Sequence, residues 1–111
     1  MNKFSPHVQN YREIKAALTE RRDAALEEIQ VVVDDFKSAG FFVRRPNDYT
    51  IEIFRVNDLV LRLSFALHDI KVDWTFPGLR EMTRTFNYEM DVLMQNLAVV
   101  FVENEAENEE D

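Results

Sequence analysis

The chain has 111 residues, 46% of them hydrophobic and 31% charged, and a net charge of −8. That length suits one domain with a real hydrophobic core and is too short for two independent domains. The absence of cysteine excludes disulfides and thiolate metal sites. The first residues contain no secretory signal, and the longest apolar run falls short of the ~20 residues that span a bilayer, so we expect a soluble, cytoplasmic protein.

The first predicted element is a long helix that begins at Ser5-Pro6 and ends before Gly40. Serine can cap free N–H groups, proline fits the first helical turn, and glycine favours the left-handed conformation that ends many helices. Apolar residues recur with a helical period except across residues 19–23. Such a helix would be ~50 Å long, whereas strands of seven residues span only ~23 Å. It must therefore either bend near residues 19–23 or project as an arm, which could pack in a homodimer.

The next elements are four antiparallel strands, which form a meander over residues 41–76. The register of the second and third strands follows from their apolar residues. A three-residue turn that begins at Val56 places both apolar sets on one face, whereas a two-residue turn that begins at Asn57 would place them on opposite faces. The predicted pairs are Ile53 with Leu61, Ile51 with Leu63, Glu52 with Arg62, Thr50 with Ser64, and Phe54 with Val60.

The outer two strands are placed by the same alternation of apolar and polar residues. The first strand covers residues 41–45, and its Val43 is expected to lie opposite Ile51. A two-residue turn at residues 68–69 leads into the fourth strand and pairs Leu63 with Trp74. The meander then has one nearly continuous apolar face, which helices must cover.

The last predicted element is an amphipathic helix that begins after Pro77-Gly78. We expect it to end near Glu103, because carboxylates are unfavourable at the negative end of a helix dipole. The predicted fold is α+β, with a long N-terminal helix, the four-stranded meander, a long C-terminal helix and a disordered acidic tail. The apolar residues that predict this helix recur every three or four positions, at Leu79, Met82, Phe86, Met90, Leu93, Leu97 and Phe101.

The negative charge is concentrated at the C-terminal end of the sequence. Residues 1–102 carry a net charge of only −2, whereas residues 103–111 contain six acidic groups. We predict a single domain over residues 1–102 and a solvated, disordered tail after it. Such a tail could steer association with a partner that has a basic surface. Its acidic residues are Glu103, Glu105, Glu107, Glu109, Glu110 and Asp111.

No residue pattern in the sequence predicts catalysis. His7 falls at a helix start, and His68 beside Asp69 is typical of a turn rather than of a metal site. Ser64 has no nucleophile-elbow sequence around it, and there is no glycine-rich phosphate loop. We therefore predict no catalytic residues, no metal and no cofactor, and a protein that is not an enzyme.

The outer face of the sheet, opposite the apolar face, is the best candidate for a working surface. Three apolar side chains are expected to cluster there among charged residues, which is typical of an interface. The alternative is that a helix or the twist of the first strand covers the cluster. The predicted partner-binding residues are Phe42, Arg44, Glu52, Phe54, Val60 and Arg62.

Arginines interleaved with aromatics on a sheet also resemble a platform for single-stranded nucleic acid. Glu52 and the acidic tail oppose this interpretation, because affinity for nucleic acid depends on net basic contacts. We do not expect direct nucleic-acid binding.

These observations favour a small, acidic, non-enzymatic module that binds another protein, as an inhibitor, an immunity or anti-defence factor, or an adaptor. The alternatives are a dimeric chaperone or assembly protein and, further, an enzyme without a recognisable motif. A homodimer could form through the long helices or through the outer sheet face. The sequence leaves the partner, the oligomeric state and the role of the tail open.

Overall fold

A computed structural model of the chain describes residues 2–75 and 81–109. It contains two helices and a five-stranded antiparallel sheet in which strands consecutive in sequence are neighbours. The predicted α+β layout is confirmed, but the prediction of four strands is wrong. In chain order, the elements are α1 (Ser5–Ser38), β1 (Phe42–Asn47), β2 (Thr50–Arg55), β3 (Asp58–Phe65), β4 (Ile70–Thr75), β5 (Glu81–Phe86) and α2 (Met90–Glu109).

Helix α1 is continuous through residues 19–23, so the polar stretch in its middle does not break it. Its C-terminal end matches the prediction, because Gly40 has a φ of 96°, in the left-handed region that glycine adopts easily. Its N-terminal end differs from the prediction. Phe4 is the N-cap residue and no side chain caps the helix, while Ser5 already lies in the first turn. The Phe4 N–H instead donates a hydrogen bond to Asn2 Oδ1 at 2.8 Å.

The register between β2 and β3 agrees with the prediction except next to the turn. A β-bulge in β3, opposite Ile53 and Phe54, places Phe54 opposite Leu59 rather than opposite Val60. The turn has two central residues, Val56 and Asn57, instead of the predicted three. The bulge supplies the extra residue that keeps both apolar sets on one face. The confirmed pairs are Thr50 with Ser64, Ile51 with Leu63, Glu52 with Arg62, and Ile53 with Leu61.

The registers of the flanking strands are shifted by two residues from the predicted ones. Val43 lies opposite Ile53 rather than Ile51. Leu63 lies opposite Val72 rather than Trp74, because the β3–β4 connection has four residues and not two. A shift of two residues leaves every side chain on the same face, so the apolar pattern alone cannot detect it.

Strand β5 occupies a segment for which the sequence predicted a helix. Met82 and Phe86 lie in this strand and pair with Trp74 and Ile70 of β4. Their spacing of four residues fits one helical turn, but it also places two residues on the same face of a strand. The helical prediction for this segment is therefore wrong, and α2 begins only at Met90. Leu79, Pro77 and Gly78 lie outside the described residues.

Both helices pack on the apolar face of the sheet, and the core forms between these two layers. The helices run parallel to each other, because Arg21 of α1 lies against Tyr88 just before α2, while Phe36 contacts Phe101 of α2. The core residues contributed by the helices are Ala25, Ile29, Val33, Phe36, Leu93, Leu97 and Val100. Those contributed by the strands include Ile51, Ile53, Leu61, Leu63, Phe65, Ile70, Val72, Trp74 and Phe86.

Three connections meet at one end of the sheet, which we call the entry end: residues 48–49, 66–69 and 87–89. The Tyr88 hydroxyl donates a hydrogen bond to the Ala66 carbonyl and so joins two of them. Burial raises the pKa of Tyr88 above its ordinary value, although Arg22 and Arg21 nearby act to lower it.

Helix α1 continues past the entry end toward the N-terminus, and α2 continues to Glu109 at the opposite end. The molecule is therefore elongated, with dimensions of 71 × 26 × 25 Å. The prediction that α2 ends near Glu103 in a disordered tail is wrong for residues 103–109, which are helical. A boundary between a domain and a tail at residue 103 stays a prediction. Among the described helices, none is apolar over a stretch long enough to cross a bilayer.

Candidate interaction surface

The outer face of the sheet is not covered by either helix. Side chains alternate between the two faces of a strand. The residues between the core residues along each strand therefore point away from the helices. Phe42 on this face is 62% exposed, and Arg44 beside it is also exposed. The predicted alternative, in which a helix covers this surface, is not observed among the described residues.

Glu52 is the exception on the outer face, because its side chain is only 4% exposed. Strand pairing places it between Arg44 on β1 and Arg62 on β3. Its Oε1 accepts hydrogen bonds from Nε and Nη2 of Arg44, the former at 2.8 Å. Its Oε2 accepts from Arg62 Nε at 2.9 Å and lies 2.8 Å from Arg62 Nη2. Each carboxylate oxygen therefore receives one guanidinium group, a geometry that fixes both arginines.

The same geometry accounts for the charge state of Glu52. Burial alone would raise the pKa of this carboxyl, but the hydrogen bonds and positive charges of Arg44 and Arg62 outweigh burial and lower its pKa below the ordinary value. Glu52 is therefore ionised at neutral pH. The two arginine side chains remain 59% and 40% exposed and keep a surface for further contacts.

Two phenylalanines lie next to this ionic cluster. The ring centroids of Phe42 and Phe54 are 6.2 Å apart, and the Arg44 guanidinium lies 5.5 Å from the centre of the Phe54 ring. Strand β1 is at the edge of the sheet and exposes Phe42, whereas Phe54 on β2 is half-buried. The structure thus brings together five of the six predicted residues: Phe42, Arg44, Glu52, Phe54 and Arg62.

Val60 is the predicted residue that does not join this surface. It is only 4% exposed, because the bulge in β3 buries it and places half-buried Leu59 opposite Phe54. The apolar part of the surface is therefore smaller than the sequence predicted. A bulge inserts one residue without altering the apolar pattern on either side, so the sequence carries no clear signal for it.

The acidic residues of the predicted tail have different environments. Glu103 is exposed and Glu105 is half-buried, both within α2. Asn104 between them is 4% exposed, and its Nδ2 donates to the Val100 carbonyl at 2.8 Å. Glu107 and Glu109 belong to the same helix, while Glu110 and Asp111 lie outside the described residues.

The two histidines lie apart from each other, His7 in α1 and His68 in the β3–β4 connection. Within residues 2–75 and 81–109, no group of three or more His, Cys, Asp or Glu side chains could hold a metal ion.

An open apolar groove of about 560 Å³, which was not predicted, lies between α1 and α2. Its walls combine core residues with apolar residues at the margins of both helices, such as Val32 and Val102. Each helix carries apolar residues next to the ones that it buries in the core. These additional apolar residues are the signal that could have indicated the groove.

Comparison of the chain with protein-family models, with curated proteins and with solved structures finds no match.

Proposed function

We propose that this chain is a non-enzymatic protein-binding module that acts by occupying the surface of another protein, as an inhibitor, an immunity or anti-defence factor, or an adaptor. The outer sheet face is its binding surface. Phe42, Phe54, Arg44 and Arg62 make the contacts, and Glu52 holds the arginines in place.

The observation that carries this proposal is an exposed aromatic side chain beside two arginines whose positions are fixed. Phe42 is 62% exposed next to Phe54 and Arg44. Aromatic residues and arginine are enriched where interfaces concentrate their binding energy. Because Glu52 already orders both guanidinium groups, a partner would not have to immobilise them, and this lowers the entropic cost of binding.

A binding comparison of two aspartate variants tests the proposal. In Phe42→Asp a charge replaces the exposed ring on the outer face, and in the matched control Val31→Asp a charge replaces a 65% exposed side chain on α1. Tagged wild-type protein and both variants are used to capture partners from native host lysate, and the captured protein is then titrated against each. We expect at least a tenfold loss of affinity for Phe42→Asp and none for Val31→Asp.

Equal affinity of the three proteins for the captured partner would rule out the outer face. Loss of binding in Val31→Asp alone would instead place the interface on the helices. Circular dichroism of each variant shows whether the fold is retained.

The acidic end of α2 is proposed to steer the approach of a partner with a basic surface. Deletion of residues 103–111 is a poor test, because it would remove buried Asn104. Replacement of Glu105, Glu107 and Glu109 with Gln removes charge and keeps good helix formers. We expect a lower association rate with a weaker dependence on salt, and little change in the dissociation rate.

The groove between α1 and α2 favours a second candidate function, a dimeric chaperone or assembly protein. Its apolar lining could hold an apolar segment of an unfolded client. Such a protein would suppress the aggregation of several unrelated unfolded proteins, whereas a specific inhibitor would bind one partner at a fixed stoichiometry. Placing a charge in the groove with Ala98→Glu should abolish the first activity and leave the second intact.

A further inference from the structure

The N-terminal part of α1 projects from the body of the molecule. Two arginines of α1 contact the entry end: Arg21 reaches the carbonyl oxygens of Leu67 and His68 at 3.5 Å, and Arg22 lies 3.8 Å from the centre of the Tyr49 ring. The first buried residue of the helix is Ala25. Residues 4–18, which we call the arm, are ~21 Å long at 1.5 Å per residue and lie beyond these contacts.

The arm carries an apolar stripe on the side of α1 that faces the sheet farther along the helix. Phe4, Tyr11 and Ile14 are 68%, 49% and 45% exposed, and Val8 and Leu18 are half-buried. At 100° per residue, the five side chains lie within about 60° of Tyr11 around the helix axis. Buried Ile29 falls on the same line, so one continuous stripe is covered by the sheet in one half and uncovered in the other.

The stripe is symmetric about Tyr11 along the helix. Val8 and Ile14 are each three residues from Tyr11, and Phe4 and Leu18 are each seven residues from it. A surface with this pattern matches itself when it is turned through 180°, as the interface of a two-fold symmetric dimer requires. The symmetry favours a second copy of this chain over an unrelated partner.

We infer that two copies of this chain dimerise through their arms, which pack antiparallel around a two-fold axis near Tyr11. This axis places Phe4 of each copy beside Leu18 of the other, and Val8 beside Ile14. Five side chains from each arm give at most about 1,000 Å² of buried surface in total, which is the lower limit for a specific interface.

The layers of the molecule leave room for this arrangement. The stripe faces the layer that the sheet occupies, and that layer ends at the entry end. Packed helices lie 8–10 Å apart, close to the spacing between packed layers that include a sheet. The arm of the second copy can therefore continue the sheet layer beyond the entry end, with its tip against the connections there.

The charges at this junction are complementary. The arm contains Arg12 and Lys15 against one acidic residue, Glu13, and Lys3 immediately precedes its tip. The connections at the entry end carry the carboxylates Asp48, Asp69 and Glu89, and all three are at least partly exposed. Antiparallel packing brings Lys3 at the tip of each arm toward these carboxylates of the other copy. This contact is absent when the arms pack in parallel, so charge favours the antiparallel arrangement.

Sedimentation equilibrium of the full chain over a wide range of concentration tests the dimer. We expect the wild type to approach twice the mass of one 13.1 kDa chain and Ile14→Glu to remain monomeric. The matched control Val31→Glu alters a 65% exposed side chain on the opposite side of the same helix and should dimerise like the wild type. A monomeric wild type at all concentrations, or a dimer that Ile14→Glu leaves intact, overturns the inference.

Cysteine crosslinking tests the orientation of the arms, because the natural sequence contains no cysteine. Residues on a two-fold axis lie close to their own copies, so Tyr11→Cys should form an intermolecular disulfide under mild oxidation. Phe4→Cys should not, because antiparallel packing separates the two tips. Efficient crosslinking of Phe4→Cys would show that the arms pack in parallel and would overturn the antiparallel arrangement.

Discussion

The two faces of the sheet are made by the same strands but differ in the interactions that their side chains make. On the inner face, side chains such as Ile53 and Leu63 have no exposed surface and belong to the core between the sheet and the helices. On the outer face, a buried carboxylate orders two arginines, while Phe42 beside them remains exposed. The inner face stabilises the fold. The outer face combines fixed polar geometry with an exposed apolar group, which is more than stability alone requires.

The largest expected difference between the faces is in the free energy of unfolding. Leu63→Ala removes a fully buried side chain from the centre of the inner face and should cost about 2–5 kcal/mol. Ser64→Ala, the next residue of the same strand on the outer face, should change stability by less than about 0.5 kcal/mol. Urea denaturation of both variants measures the contrast. Equal effects would mean that the two faces are not distinguished by packing.

Glu52→Gln is the outer-face substitution with the largest expected cost, because it removes the charge that both arginines contact. Hydrogen bonds to charged groups contribute about 2 kcal/mol, and we expect a loss of that order in the free energy of unfolding. Asp58→Asn, an exposed carboxylate in the same sheet, is the control and should be nearly neutral. A neutral Glu52→Gln would show that the ionic cluster does not stabilise the sheet.

The contribution of Glu52 should also depend on pH, with a sign that follows from its lowered pKa. A carboxyl whose pKa is lower in the folded state adds stability above its unfolded pKa, and this stability is lost as the pH falls through the folded pKa. The stability difference between wild type and Glu52→Gln should therefore be full at neutral pH and shrink on acidification below the ordinary pKa of glutamate. Denaturation curves of both proteins between neutral and acidic pH check this; a difference that grows on acidification would contradict it.

Phe42→Ser should have the smallest effect on stability, within about 0.5 kcal/mol, because the ring is already 62% exposed. It should nevertheless weaken partner binding, because it removes the exposed apolar group from the outer face. Thermal melting and partner titration on the same sample separate the two effects. A large loss of stability would indicate that Phe42 serves the fold rather than an interface.

The strand registers that could be predicted from the sequence are those in which a slip would have moved the apolar side chains to the other face of the sheet. The pairing of Ile53 with Leu61 could be predicted, because a slip of one residue would have exposed the apolar set of one strand. Slips of two residues do not change the faces, which is why the partners predicted for Val43 and Leu63 were wrong. Their registers depend on the geometry of the connections, including the four-residue one after β3, and not on apolar alternation.

Strand β5 and the end of α2 show a second limit of the sequence pattern. Met82 and Phe86 are spaced for either a helix or a strand, and only their pairing with β4 decides between them. The acidic residues after Glu103 suggested disorder, but propensity and the preceding helical turns outweigh the unfavourable dipole there. The outer-face cluster could be predicted because direct cross-strand neighbours follow from register, whereas the burial of Val60 depends on a bulge.

The parallel arrangement of α1 and α2 gives the molecule an electrical polarity along its 71 Å axis. The dipoles of parallel helices add, with their positive ends toward the entry end and their negative ends at the far side. The side-chain charges have the same sense, since the basic arm is at one pole and the acidic C-terminal end of α2, up to Glu109, is at the other. A single chain is thus a strong electric dipole that would tend to stack head to tail at low salt. Two chains joined antiparallel through their arms cancel this dipole, leaving acidic poles at both ends and a basic centre.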